Sequence, residues 1–567
     1  MVVSTDQVTP WLLLVSLVLI GYLLAGLGSW PVCALLLHRY RRQIARGMRP
    51  SLPGAPPAAA PPADLSAPAV ARTGAETAAP GRVTIRIQSA DRPSRDHPLL
   101  DRARRHCHRA QVLFIVLGVC FGLGSATVFL VVDPEQRQPW KFLAYALLGS
   151  WLIVPTVLAL SSRRGRWPWL LWLGYFGVTI PMLYLAGVGA QQLPAATRPI
   201  AELVAGVGMP LIFVLATGRR SMRGAVWLVG PVLMMVGAVL NAALVISGGY
   251  LLAGNPLDSF GWQVLGAGFG LLVAGTVLVI AIVRLHQAKW LGDQTLLILQ
   301  WWLVLALWWT LLLSAAGPLG AALGTLPYVV LVGLLLVALG RRVTLSDRFD
   351  HAHRPVRLLL LRTFGARERS SRLLQDLTRQ WRWIGSVELI TAPDLAGETL
   401  EPDEFLDFLR GRLRDRFVRD ADGLDHRLAH LDLRRDRDGR YRVNELMCAD
   451  TTWQLALERL AAQTDVILID LRGFTPQHPG VDHEIQRVVA LQPLSRVVAI
   501  VDQSTDEVTL RTSLDRAADL APPTSPLHTD PDPALRVIGW DSARTDAEEL
   551  MSALAEAAAT PHRSAPG

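Results

Sequence analysis

Apolar runs fill the first 340 residues, and a different rhythm takes over near residue 355. The runs lie at about 11–37, 111–132, 140–161, 168–190, 200–217, 224–247, 262–284, 295–316 and 321–340. Each approaches the roughly 20 apolar residues needed to cross about 30 Å of hydrocarbon. The fifth is the shortest, and Pro327 interrupts the last, which a membrane helix tolerates as a kink. The connections alternate in charge. Arg39, Arg41, Arg42, Arg46 and Arg49, with Arg102, Arg104, Arg105 and Arg109, load the first; Arg163/Arg164/Arg166, Arg219/Arg220/Arg223, Arg284/Lys289 and Arg341/Arg342 load every second one after it. The intervening connections hold only Arg137, Lys141 and Arg198. With nine crossings all the basic loops share one side. The positive-inside rule then predicts a plasma-membrane protein with its N-terminus outside and its C-terminal part in the cytoplasm.

The expected architecture is thus an α-helical polytopic membrane bundle of about nine helices: an anchor at 1–38, a linker at 39–110 and an eight-helix bundle at 111–342. Residues 50–81 are rich in Pro and Ala and cannot bury enough apolar surface to offset ordering entropy, so this loop is expected to be disordered. RVTIRIQ (82–88) alternates and could pair as a short strand. Few polar groups interrupt the runs: Glu202 near an end, Asn241 and Gln300 within. Ionisable residues at membrane depth mark transport pathways, and their scarcity argues against a transporter. Gly118/Gly122, Gly266/Gly270 and Gly320/Gly324 have the spacing that lets helices approach closely, and homo-oligomers through these helices or the soluble part are a possible partnership.

After residue 355 strand-like and helix-like segments alternate. VRLLLL (356–361), VELI (387–390), VILIDL (466–471), RVVAIV (496–501) and LRVIGW (535–540) read as buried strands, separated by helical patterns. LDLRRDRDGRYRVNEL (431–446) alternates around Asp438-Gly439 and predicts a hairpin. Repeated β-then-α units predict a mainly parallel sheet covered on both faces. The expectation is a five-stranded, flavodoxin-like α/β domain over 355–560.

Composition agrees with this division. Hydrophobic residues make up 51% of the chain, charged residues 18%, and the mean hydropathy is +0.30, which excludes a wholly soluble enzyme and a largely disordered chain. The net charge of +8 is a balance of +16 over 1–344 and −8 over 345–567. An acidic soluble part would repel phosphate backbones, so no nucleic-acid partner is expected; the lipid bilayer is. Four cysteines without a CxxC pair suggest neither a zinc site nor a disulfide framework.

Ligands of doubly wound sheets sit outside the carboxyl ends of the strands. Those ends are Arg362-Thr363-Phe364-Gly365, Asp470-Leu471-Arg472-Gly473-Phe474 and Asp502-Gln503-Ser504. None carries GxGxxG, GxxxxGK[ST] or GxSxG, which disfavours Rossmann dinucleotide binding, P-loop chemistry and a hydrolase elbow. Arg362 and Arg472 could hold a phosphate or carboxylate bidentately, or pair with Asp470 and Asp502. After the Gly/Pro loop 473–480, Asp482, His483 and Glu484 open a helix, where the dipole would keep a carboxylate ionised. Such a glutamate could serve as nucleophile or stabilise an oxocarbenium-like transition state; equally, Asp482 and Glu484 could simply favour a helix N-terminus. Asp347, Asp350, His351 and His353, and separately His478, Asp482 and His483, have ligand chemistry but read as exposed polar residues, and no metal is expected.

The phrases PVRLLLLRTF and TDVILIDLRGF…G…E resemble TIR-like and nucleoside-deoxyribosyltransferase-like flavodoxin-type domains, and the former also resembles the start of the soluble domain of bacterial multipass membrane proteins. The resemblance covers about 200 residues and departs from the TIR pattern at Gly480-Val481-Asp482-His483, where a Trp-Cys pair is usual. It implies that Glu484 takes the place of a glutamate serving N-glycosidic chemistry on a nucleotide or NAD. Arg362, Thr363, Phe364, Asp470, Arg472, Gly473 and Asp502 would then line the ligand site. Three functions remain open: a membrane-displayed sensor or interaction domain, an N-glycosidic hydrolase or transferase, and a transporter with a regulatory domain.

Overall fold

The computed structural model describes residues 34–48, 83–89, 97–132, 138–150, 259–292, isolated positions between 295 and 306, 318–350, 355–362, 367–391, 400, 402–540 and 544–560. Seven strands form one sheet: β1 (Arg86–Ser89), β2 (Val356–Arg362), β3 (Gly385–Ile390), β4 (Val443–Leu446), β5 (Val466–Asp470), β6 (Val497–Val501) and β7 (Ala534–Gly539). Their order is β1-β7-β6-β5-β2-β3-β4, and every pairing is parallel.

The five-stranded expectation was short by two. RVTIRIQ supplies β1, which adds to the outer edge of β7 with Ile87 opposite Leu535. The expected hairpin at 431–446 does not form. The chain turns at Asp438-Gly439, with Gly439 at φ +97°, but only Val443–Leu446 is a strand, and it lies parallel to β3. The alternating charges around the turn find tertiary partners in place of a ladder: Thr295 Oγ1 donates to Asp438 (2.9 Å) and Arg442 Nη2 donates to the His286 carbonyl. Counting β2–β7 alone, the spatial order is 3-2-1-4-5-6. It differs from the flavodoxin-like order by the outer strand β4, and it reverses between β2 and β5.

Both faces of the sheet are buried, which is why its strands read as unbroken apolar runs. Leu359, Leu361, Ile467, Ile469, Val497 and Ala499 face α9 (Trp453–Gln463), α10 (Pro479–Leu491) and α11 (Glu507–Leu520). Leu358, Leu360, Val466, Leu468, Val498 and Ile500 face α6 (Arg367–Trp381), α12 (Arg544–Ala559) and the start of α2 (Pro98–Val132). Helices α7 (Pro402–Leu409) and α8 (Ala421–Ala429) lie between β3 and β4. The other described helices form a second layer: α1 at 34–48, α3 (Pro139–Ser150), α4 (Ser259–Gln287) and α5 (Pro318–Asp350).

Helix α2 belongs to both parts. Leu100, Ala103 and Ala110 pack in the sheet's core, whereas Phe114, Leu117, Phe121 and Phe129 pack in the helical layer with Tyr40, Tyr145, Trp302 and Leu335. Its crossing with α3 is close: a Cβ on Gly149 would lie 2.6 Å from Gly122 Cα.

The nine-span bundle is not what the structure shows. Among the described residues one helix, α2, is long and apolar enough to cross a membrane; the apolar stretches Gly275–Gln287 in α4 and Leu326–Arg341 in α5 are shorter. The expected spans at 168–190, 200–217 and 224–247 lie outside the described residues. A hydropathy window counts apolar residues without asking which of them are covered. A third of the most apolar window of α2 is buried, and α2 begins at Pro98, well before the expected 111. Likewise Leu296, Ile298, Leu299, Trp302 and Ala306, read as one span, are interior residues sharing a core with Phe405 of α7.

Candidate functional site

The sheet reverses order between β2 and β5, and the last residues of those strands face each other: Arg362 is in register with Asp470. Both are buried. After Asp470 the chain turns tightly through Leu471-Arg472-Gly473, with Gly473 at φ +73°, a conformation only glycine adopts without strain. This turn folds Arg472 back onto Asp470. Arg472 Nε donates to Oδ1 and Nη2 to Oδ2, each at 2.7 Å, and the Arg472 amide donates to Oδ1 at 3.3 Å. The guanidinium also lies 5.9 Å from the ring centroid of Trp540, just beyond β7.

The β6 loop closes over this turn. Asp502 Oδ1 accepts from the amides of Gly473 (3.3 Å) and Ser504 (3.0 Å), and Thr505 Oγ1 donates to the Leu471 carbonyl (2.9 Å). Asp502 thus fastens two loops together.

Glu484 enters from α10. The helix begins at Pro479, so Glu484 sits in its second turn, and only Asp482 is the acidic residue of the first. Glu484 is 2% exposed, and among the described residues its Oε2 has no hydrogen-bond partner. Burial pushes its carboxyl up to about 8, against the opposing pull of Arg362. The expectation of an ionised glutamate held by the helix dipole is therefore corrected: at neutral pH it is mostly a protonated acid, because desolvation outweighs the nearby guanidinium.

The structure brings Arg362, Asp470, Arg472, Gly473, Asp502 and Glu484 to one end of the sheet. Thr363 and Phe364 lie outside the described residues. Of the two alternatives for Arg472, the structure shows pairing with Asp470. What the cluster offers chemically is a buried, charge-lined interior with one neutral carboxylic acid, a group able to give up a proton near neutral pH.

The other sequence candidates are engaged locally. Asp482 accepts from Arg516 (3.1 Å) and Gln486 (2.9 Å), His478 Nδ1 meets Thr475 Oγ1 (3.1 Å), and His483 stacks edge-on against Trp453. Burial, then Arg487, lowers the His483 pKa and keeps the ring neutral. Asp347 and Asp350 lie on α5, and His351 and His353 are outside the described residues. Among the described residues no group of three His, Cys, Asp or Glu could hold a metal ion. Burial pushes the Cys448 thiol up to about 12, so it is not a nucleophile at physiological pH.

Two polar features carry no motif. Arg357 of β2 forks onto Glu388 of β3, with Nε to Oε1 at 2.7 Å and Nη2 to Oε2 at 3.0 Å, inside the sheet. The only hint in the sequence is a charge inside each apolar run. A cavity of about 410 Å³ flanks the outer strand β4, lined by Asp407, Asp415, Arg416, Asn444 and Glu445 among others. Its residues come from four separate segments, which a linear reading does not join.

No family model, curated protein or solved structure matches the chain.

Proposed function

We propose that this protein is a membrane protein in which a bilayer-embedded helical layer carries a cytoplasmic α/β domain that acts as a sensor or interaction module. One observation supports this above the others: large exposed apolar side chains are concentrated on the helical layer. Val112, Val116, Val119, Leu123 and Val131 of α2, Phe269, Val273, Val277 and Ile280 of α4, and Leu326, Val329, Val330, Leu334 and Val337 of α5 all face outward, against three such residues among the described residues of the α/β domain, Leu409, Val508 and Leu520. Apolar surface on that scale needs a lipid or protein cover. Arg102, Arg104, Arg105 and Arg109 alternate along α2 with Leu100, Ala103 and Ala110, which pack in the sheet's core, and Lys289 just beyond α4 pairs with Asp432 of the α/β domain; basic residues at this junction favour the cytoplasmic side for that domain. The pairing of Arg472 with Asp470 favours a structural role for that cation over ligand capture. The test is alkaline carbonate extraction of membranes, with a reporter fused behind Gly567. Release into the wash, or an extracytoplasmic reporter, refutes the reading.

A second reading has one specific support, the buried Glu484 beside Arg362, whose carboxyl burial pushes up to about 8 and whose Oε2 has no hydrogen-bond partner among the described residues. In it Glu484 gives its proton to the departing base of a nucleotide or NAD as the N-glycosidic bond breaks, and water or another acceptor takes the sugar carbon. Incubating the full chain and Glu484→Gln with NAD and nucleosides decides it. Release of free base by the wild type alone supports an enzyme, and no release by either leaves the module.

A further inference from the structure

Where the C-terminal end of α4 meets α5, a groove of about 400 Å³ is lined by Leu285, Trp290, Leu336, Val337, Gly340 and Arg341. Gly340 leaves the space open: a Cβ there would find nothing nearer than Arg437 Nη1 at 3.7 Å and the Trp290 indole at 3.8 Å. Arg437 comes from the α/β domain, on the segment 431–442 that precedes β4. Its guanidinium stacks on Trp290, 3.0 Å from the ring centroid, and its amide donates to the Lys289 carbonyl at 3.0 Å.

Arg437 differs from its neighbours in charge balance. Arg442 pairs with Asp436, Arg416 with Asp407 and Lys289 with Asp432. Among the described residues Arg437 has no carboxylate, only the aromatic face. An apolar channel thus ends at a guanidinium that pairs with no carboxylate among the described residues, with Arg341 on its rim. From Gly340 the outward-facing side chains Val337, Leu334, Val330 and Leu326 continue the apolar track along α5 for about 21 Å at 1.5 Å per residue.

We propose that this groove binds one anionic membrane phospholipid, with an acyl chain along Leu285, Leu336 and Val337 and the headgroup phosphate between Arg437 and Arg341. Arginine forks match phosphate oxygens, and the inner leaflet supplies anionic headgroups at this level of a bilayer. The inference rests on the bilayer reading above and goes further, because Arg437 belongs to the α/β domain. The lipid would tie that domain to the helical layer.

The test uses the full chain in detergent micelles, titrated with phosphatidylglycerol or phosphatidylcholine of identical acyl chains and read by native mass spectrometry. The wild type should retain one phosphatidylglycerol at concentrations where phosphatidylcholine is lost. Gly340→Leu, whose Cβ would meet only the side chains of Arg437 and Trp290 at 3.7–3.8 Å and whose longer chain extends into the groove, should weaken phosphatidylglycerol binding by about tenfold or more, as should Arg437→Gln, which removes the guanidinium that meets the phosphate. Arg437→Gln should leave phosphatidylcholine binding unchanged. Thermal melting of each variant separates misfolding from lost binding. Equal retention of both lipids by the wild type, or undiminished phosphatidylglycerol affinity in folded Gly340→Leu, overturns the proposal. Those results leave the bilayer reading standing, whereas release of the chain by carbonate removes that reading itself.

Discussion

Replacing Glu484 with Gln should change how stability depends on pH, and the direction is fixed by which force wins at that carboxyl. In the unfolded chain a glutamate titrates near its ordinary value of 4.5; in the native state burial moves it to about 8. Below pH 4.5 it is protonated in both states and contributes no pH dependence. Between 4.5 and 8 the native state holds a proton that the unfolded state has released, so stability falls as pH rises, by about 1.4 kcal/mol per pH unit. From pH 5 to pH 7.5 that amounts to about 3.4 kcal/mol. Above pH 8 both states are ionised and the loss is complete.

The glutamine of the Glu484→Gln variant cannot titrate. Its buried amide adds a constant cost of about 1–3 kcal/mol where a donor lacks a partner, but that cost does not vary with pH. The stability of the variant relative to wild type should therefore climb steadily between pH 5 and 7.5. For a domain of this size 1 kcal/mol shifts the melting temperature by about 2–4 °C, so the difference should move by roughly 7–14 °C in favour of the variant. Melting both proteins at half-unit pH steps, followed by circular dichroism, measures it, and the other titrating groups cancel in the comparison. A flat difference from pH 5 to 8 would mean that Arg362 keeps Glu484 ionised, and the account of this site as a neutral acid would fail.

Arg472→Gln should destabilise the α/β domain by about 3–5 kcal/mol, because it leaves Asp470 buried without its bidentate partner; adding Asp470→Asn should recover part of that loss in urea titrations. Arg86→Ala, which removes an exposed ion pair with Asp532, should cost less than about 1 kcal/mol and leave β1 in place by hydrogen exchange. Gly122→Leu should separate α2 from α3, since its side chain would meet the backbone of Ala146 and Ser150, and should lower the melting temperature far more than Gly333→Leu, where a Cβ meets nothing within 4 Å.

Much of the α/β domain could be read from the chain because its information is local. VILID and VVAIV are buried along nearly their whole length, and runs of that kind with helices between them have few arrangements other than a parallel sheet. Two failures share one cause. Asp438-Gly439 is a real turn signal, but whether the residues after it pair backwards or join β3 depends on Thr295 and His286, more than a hundred residues away. The ionisation of Glu484 likewise depends on what covers it, which helix position alone does not reveal. The start of α2 was hidden differently. Arg102, Arg104, Arg105 and Arg109 look like a loop by charge, yet Leu100, Ala103 and Ala110 recur at helical spacing and face the sheet.

Besides the shared core around Phe405, two attachments of the α/β domain to the helical layer differ in kind. Helix α2 is continuous through both parts: 35 residues span about 52 Å as one rod, so its two ends move together. The segment 431–442 is a polar clasp. Thr295 Oγ1 donates to Asp438 Oδ2 at 2.9 Å, the Arg440 amide donates to Oδ1 at 3.1 Å, and Arg442 reaches the His286 carbonyl. A rod transmits displacement whatever its surroundings; a clasp of hydrogen bonds can open locally at small cost. The clasp leads directly into β4, the outermost strand, which is held on one side only, by β3. Asp438→Ala leaves two buried donors unpaired and should loosen the clasp by about 1–3 kcal/mol. Hydrogen exchange should then quicken about 5- to 150-fold at Val443–Leu446 and remain unchanged in β5 and β6, which the rod and both helical faces still support. Thr295→Val, which breaks only one of the contacts between the layers, should act in the same direction more weakly. If β5 and β6 quicken together with β4, the sheet opens as one unit and the clasp is no separate hinge; if β4 does not respond at all, the helical layer has no grip on the sheet through this segment.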